Sequence, residues 1–164
     1  MLSTMTDHPL TINMIFDHGT RVHSASRVST LEDGGTRRAR YDQVAGRIGR
    51  LAAALRRLGI GPGDRVATFC WNNQQHLEAY FAIPCMGAVL HTLNIRLFPE
   101  QLVYVANHAE DKAIIVDDSL VPLLARVSAQ LKTVEHFIVA GEGDASPLGE
   151  HLRYESLLAA EKTG

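Results

Sequence analysis

Four apolar runs decide how residues 65–139 are read: VATFCW (66–71), AVLHTL (88–93), KAIIV (112–116) and HFIV (136–139). They are near-continuously hydrophobic rather than alternating, the pattern of strands covered on both faces. Helical stretches separate them. Gln74–Met86 carries Leu77, Tyr80 and Phe81 on its inner face, shaped further by Pro84. The next helix runs from Pro99 to about His108, with proline at the first helical position, where its missing N–H would have been unpaired anyway. Leu120–Leu131 turns Leu123, Leu124, Val127 and Leu131 inward, with Ser119 placed to cap it. The order β-α-β-α-β-α-β with short connections predicts a parallel sheet, and right-handed crossovers lay helices over its faces.

Before this core, Asp42–Leu58 is the clearest helix: Val44, Ile48, Leu51, Leu55 and Leu58 form one apolar stripe. Arg47, Arg50, Arg56 and Arg57 fall largely off that stripe on a solvated face, and Gly59 is the natural residue after the helix end. Arg27–Leu31 and Thr36–Arg40 flank Glu32-Asp33-Gly34-Gly35, a hairpin whose Asp-Gly supplies the positive φ of a tight turn. Its second arm holds Arg37, Arg38 and Arg40, so one face must be solvated. Thr11 to about His23 reads as a short helix with Ile12, Ile15, Phe16 and Val22 on one side. Residues 1–10 read as a flexible arm and 11–164 as one α/β unit. Gly141–Gly149 is a polar loop, and Tyr154–Glu161 a last short helix. The chain stops at Lys162-Thr163-Gly164 without a closing motif, which hints at a piece of something longer.

At 164 residues the chain is one domain, able to bury about 70% of its unfolded surface. A net charge of −2 predicts no affinity for nucleic acid or acidic membrane. Cys70 and Cys85 sit in apolar runs and read as reduced core residues of a cytoplasmic protein. The longest apolar stretch, Ala79–Leu90, is interrupted by Pro84 and Gly87 and is too short to span a bilayer, so no transmembrane segment is expected. Residues 1–10 have neither the basic run nor the apolar core of a signal peptide.

Leu58-Gly59-Ile60-Gly61-Pro62-Gly63-Asp64 is glycine-rich, but it follows a helix and opens a strand. A phosphate loop does the reverse, so this is a helix stop and a turn. Only three lysines stand against thirteen arginines, and none of Lys112, Lys132 or Lys162 ends a Walker pattern. No nucleophile elbow and no His-Glu-x-x-His occurs. His8, His18 and His23 are not spaced to share a helix face, which disfavours zinc. Candidate contacts gather where the strands end, at the edge where α/β sites lie: Asn72, Asn73, Asn94, Arg96 and Asp117. Each also has a plain structural reading, since Asn commonly bonds its own turn and an acid caps a helix. His91 within its strand reads as a satisfied core histidine.

Residues 41–118 resemble the N-terminal region of AMP-forming acyl-CoA synthetases, the adenylate-forming ligase superfamily. The resemblance rests on ordered pieces: Tyr41-Asp42-Gln43-Val44, Leu55-Arg56-Arg57-Leu58-Gly59-Ile60, Gly63-Asp64-Arg65-Val66-Ala67 and Trp71-Asn72-Asn73. It continues through His76-Leu77-Glu78-Ala79-Tyr80, Met86-Gly87-Ala88-Val89-Leu90-His91-Thr92-Leu93-Asn94, Arg96-Leu97 and Tyr104 to Lys112. The wording His91-Thr92-Leu93-Asn94 and Asn107-His108-Ala109-Glu110-Asp111 is similar to the medium- and long-chain fatty acyl branch, with Ile95 where that branch commonly has proline.

The resemblance implies a parent enzyme that uses ATP, Mg²⁺ and coenzyme A to turn a fatty acid first into an acyl-adenylate and then into a thioester. The family's Ser/Thr/Gly-rich loop ending in Pro-Lys-Gly, its later nucleotide-binding Asp and Arg, and its mobile C-terminal lysine have no counterpart in these residues. No catalytic, cofactor-binding or metal residue is therefore carried over, and the chain alone is expected to bind no cofactor and to be inactive. Its partners are expected to be the rest of its own chain, a fatty acid, and in some cases a second copy. The alternative is a stand-alone α/β interaction or dimerisation module without catalysis; a dinucleotide-binding domain fits worse because its glycine loop would be misplaced. An incomplete sheet is also expected to leave apolar surface bare.

Overall fold

The computed structural model describes residues 9–32 and 34–161. Most of the expected flexible arm, Asp33 of the hairpin turn, His8 and Lys162–Gly164 lie outside the described residues. Helix α1 (Ile12–Val22) leads into the antiparallel pair β1 (Arg27–Glu32) and β2 (Gly35–Arg40), then α2 (Tyr41–Arg57). There follow β3 (Arg65–Phe69), α3 (Gln74–Cys85), β4 (Val89–Thr92), α4 (Pro99–Ala109), β5 (Asp111–Asp117), α5 (Val121–Ala125), β6 (His136–Ala140), β7 (Leu152–Arg153) and α6 (Tyr154–Ala159). The last five strands form one all-parallel sheet in the order β4-β3-β5-β6-β7.

Alternation along each strand divides the core in two. On β5, Ala113 and Ile115 join the side built with Val44, Ile48, Leu51 and Leu55 of α2, while Ile114 and Val116 join Leu102 and Ala106 of α4 on the other. These strand residues are wholly buried, which is why the sequence shows no alternation of polar and apolar residues there.

Helix α2 ends as its glycine demands. Gly59 takes φ +84, its N–H reaches Arg56 O at 3.0 Å, and the next N–H, of Ile60, reaches Leu55 O at 3.0 Å. This pair of bonds satisfies two carbonyls that the helix end leaves open, and buried Ile60 completes it with an apolar contact. Helix α3 closes in the same way, with Gly87 at φ +90 and Ala88 N–H on Ile83 O.

Four sequence expectations need correction, the first being that Arg47 of α2 lies on a solvated face: it turns in to the buried Glu78 carboxylate, with its side chain 19% exposed. The helix expected over Leu120–Leu131 is only α5, between 3₁₀ turns at Asp118–Leu120 and Ser128–Gln130. The Ser128 hydroxyl donates to Ala125 O, competing with the backbone ladder. Leu124 and Val127 remain buried, three apart as a 3₁₀ spacing also allows, but Leu123 is 41% exposed. Ser119 caps nothing; its hydroxyl accepts the Trp71 indole N–H at 3.0 Å. On α3 the inner face is Ala79, Ala82 and Ile83 with the polar Gln74, His76 and Glu78, while Tyr80 is 46% exposed. Apolar spacing misled there because this helix buries charge and amide.

Candidate functional site

The strand order reverses direction at β3. From β3 the chain passes through α3 to β4 on one side, then through α4 back across to β5 on the other. The crevice outside the carboxyl ends of β3 and β5 is thus the topological switch point, where α/β sheets hold ligands. Trp71, Asn72 and Asn73 follow β3, and Asp117, Asp118 and Ser119 close β5.

Asp117 spans that crevice. Its carboxylate accepts the Trp71 backbone N–H and, at 2.8 Å, the Asn73 side-chain amide. Asn73 in turn accepts the His76 N–H at 2.9 Å and so caps α3. Burial raises the Asp117 pKa above the ordinary carboxylate value, against these donors, which favour the charged form. His76 lies behind the turn. Its Nδ1 bonds Trp71 O, an acceptor, so the proton sits on Nδ1, and Nε2 accepts the buried Thr68 hydroxyl at 3.0 Å. Burial lowers the His76 pKa, which keeps the ring neutral in that tautomer. Burial pushes the Cys70 thiol well up, and it donates to Ile115 O instead of serving as a nucleophile.

Asp118 closes the next gap. Its carboxylate accepts the Ser119 N–H at 2.7 Å and the Gly143 N–H at 2.8 Å. Gly141, at φ +103, passes so close that a Cβ would overlap this carboxylate. Arg153 holds the same loop, donating to Gly141 O at 3.0 Å and Gly143 O at 2.9 Å. An aspartate therefore takes up the Gly143 amide of the glycine loop after β6.

The sequence candidates thus separate. Asn73 and Asp117 are bonded together. Asn72 is exposed and lines, with Val28, His76 and Tyr80, a groove of about 350 Å³ between β1 and α3. Asn94 accepts the Arg96 N–H at 2.9 Å in a local turn, and both side chains are exposed. Arg96 borders a separate hollow of about 160 Å³ with Phe69, Leu102 and Arg126.

Two buried polar groups escaped sequence reading. Glu78, wholly buried on α3, accepts from Arg47 at 2.6 Å, Gln74 at 2.7 Å and the Tyr154 hydroxyl at 2.7 Å. Arg47 continues to Glu155 through two bonds, at 2.8 and 2.7 Å. Asp111, also wholly buried, faces His91. The partners stand far apart in sequence, so no local motif announces them.

These donors do not fit a nucleotide triphosphate with its metal. The loop amides of Gly143 and Ser119 are taken by Asp118, the α3 N-terminus by Asn73, and Arg153 by carbonyl oxygens. Among the described residues, no three His, Cys, Asp or Glu side chains converge on one point.

The sequence profile of the family described as AMP-binding enzyme matches residues 17–161. The chain belongs to that family. A long-chain-fatty-acid–CoA ligase of Thermus thermophilus is 45% identical over 160 residues, covering 97% of this chain and 29% of the relative. A 3-methylmercaptopropionyl-CoA ligase of Ruegeria lacuscaerulensis is 42% identical, covering 86% and 26%. A medium-chain-fatty-acid–CoA ligase of Ectopseudomonas oleovorans is 38% identical, covering 96% and 30%. The chain spans about 30% of the length of such relatives. Two solved structures share the fold. An anthranilate CoA ligase with anthranoyl-AMP superposes at TM-score 0.85 and 23% identity, over 98% of this chain and 30% of that one. A Mycobacterium tuberculosis fatty acyl CoA synthetase superposes at 0.76 and 22%, over 94% and 29%. No described helix is long and apolar enough to cross a membrane.

Proposed function

We propose that this chain is the N-terminal portion of a cytoplasmic, ATP-dependent fatty-acid–CoA ligase, and that it acts as scaffold rather than catalyst. Identity of 45% with the Thermus thermophilus long-chain ligase across nearly the whole chain supports the reading. ATP, Mg²⁺ and coenzyme A would be held by polypeptide beyond these residues, because Asn73, Asp117 and Asp118 at the switch point are already bonded within the fold. Asp117, Asn73 and Asp118 brace the strand ends against which the nucleotide and acyl pocket would be built. The side chains of Asn72, Asn94 and Arg96 are exposed at the same end of the sheet and would meet the remainder of the enzyme.

Two measurements test this. The purified chain, given a fatty acid, ATP and coenzyme A, should form no thioester and exchange no pyrophosphate. A chimera of the Thermus thermophilus ligase carrying this chain in place of its matching segment should retain ligase activity. Thioester formation by the chain alone overturns its incompleteness. A folded but inactive chimera overturns the ligase reading in favour of a stand-alone interaction module, with or without dimerisation.

A further inference from the structure

Side chains from β2, α2, α3 and α6 close a polar ring around the first turns of α3. Arg37 of β2 donates to the Gln74 side chain at 2.8 Å and to that of Gln75 at 3.0 Å. Gln74 passes its own amide N–H to Glu78 at 2.7 Å, and Arg47 of α2 donates to the same Glu78 oxygen at 2.6 Å. Arg47 then reaches Glu155 of α6 at 2.8 and 2.7 Å. Glu155 leads back to the start: Arg47 above all, with the Gln75 side chain and the charge of Arg37 adding to it, holds this carboxyl below its ordinary value.

The members depend on one another. Gln74 turns its oxygen to Arg37 and its N–H to Glu78, and the reverse orientation would set N–H against guanidinium and oxygen against carboxylate. Glu78 is wholly buried, and its second oxygen takes the Tyr154 hydroxyl. Opening one bond leaves a neighbouring charge or dipole poorly paired away from water, so the next bond opens more easily. The elements that the ring joins are peripheral. The hairpin pairs with no strand of the main sheet, and α6 follows a strand of two residues. Such elements open locally before a core does.

We propose that this ring is a latch that makes the β1–β2 hairpin and α6 open and close as one unit. The latch begins one residue after Asn73, the cap of α3 that also bonds Asp117, so the unit is anchored at the switch point. Coupling of this kind is reciprocal. Whatever binds and fixes one of the two elements steadies the other by the same factor, although no backbone ladder joins them.

Native-state hydrogen exchange of the 164-residue chain tests the latch, and no nucleotide or thioester enters the measurement, so it is independent of the ligase reading. Arg37 and Glu155, with side chains 34% and 46% exposed, are the outer members and the sites to change. Glu155→Gln on α6 should quicken exchange across the hairpin about fivefold, the lower end of coupling between sites, and Arg37→Gln on β2 should quicken it across α6 by the same factor. The double variant should open each element no faster than the substitution within that element does alone, because the ring is already broken. Amides of β5 should keep the parent rate throughout, which separates the latch from general destabilisation. Arg57→Gln, which breaks the ion pair to Glu161 just past α6, should leave the hairpin unchanged. Acceleration confined to the element that carries the substitution, or effects that simply add in the double variant, overturns the proposal. So does equal acceleration in β5, or a hairpin that responds to Arg57→Gln as strongly as to Glu155→Gln.

Discussion

His91 and Asp111 meet across β3: His91 Nδ1 on β4 lies 2.9 Å from a carboxylate oxygen of Asp111, which opens β5 and is wholly buried. The edge strand β4 is thereby tied to a strand it does not pair with. Burial raises the Asp111 pKa above its ordinary 3.8, opposed by His91 and by the charge of Arg65. The folded chain then holds this proton more tightly than the unfolded chain. The stabilisation it gives is complete below the unfolded-state pKa, about 4, and is lost as pH rises through the raised folded value. Urea midpoints should therefore fall further from pH about 4 toward neutrality in the parent than in Asp111→Asn, which has no proton to lose. Parallel pH profiles for the two proteins would refute this.

Glu78 offers a test of buried charge. Glu78→Ala strands the half-buried Arg47 and the Tyr154 hydroxyl and should cost about 3–5 kcal/mol in urea unfolding. Tyr154→Phe removes one bond and should cost about 1 kcal/mol, with Arg47 and Gln74 still satisfying the carboxylate. Equal losses in the two variants would mean that the hydroxyl, rather than the ion pair, holds this junction.

Two glycines separate backbone strain from collision. Gly59 has φ +84 and open space around it, so Gly59→Ala should cost about 1–2 kcal/mol from conformation alone. Gly141 has φ +103 and the Asp118 carboxylate in the way. Gly141→Ala should therefore cost more, and part of the difference should return in the Asp118→Ala background. A Gly141→Ala loss no greater than that of Gly59→Ala would contradict the packing of this loop.

Trp71 is the single tryptophan and reports directly on the switch point. Asp117→Ala frees its backbone N–H and the Asn73 amide together. Its emission should shift to the red, and amide exchange should quicken over residues 71–76. Unchanged emission and exchange would mean that the turn stands without the carboxylate.

The fold was legible because its signals are local. The stripe from Val44 to Leu55, the glycines at helix ends and the apolar strand runs each act within a turn or a strand, and the parallel α/β sheet follows from them; the ligase relationship rests instead on the resemblance of the ordered pieces between Tyr41 and Lys112. What stayed hidden depends on distance in sequence. Asp117 reads as a helix-capping acid until folding sets Trp71 and Asn73 beside it. His91 reads as a satisfied core histidine; it is satisfied, but with its side chain 28% exposed it sits at the core's margin, and nothing local marks Asp111, twenty residues on, as its partner. The two residues of β7 carry no periodicity at all; they pair because β6 offers an open edge.

The bonds from Arg47 to Glu155 join residues 108 apart in the chain. A ribosome must release the chain through Glu155 before α2 can meet α6. Until then the nascent chain holds the Glu78 carboxylate without its Tyr154 donor. Assembly of the junction among α2, α3 and α6 thus waits on α6, and a pause in translation before residue 150 would prolong a state that lacks both β7 and this clasp.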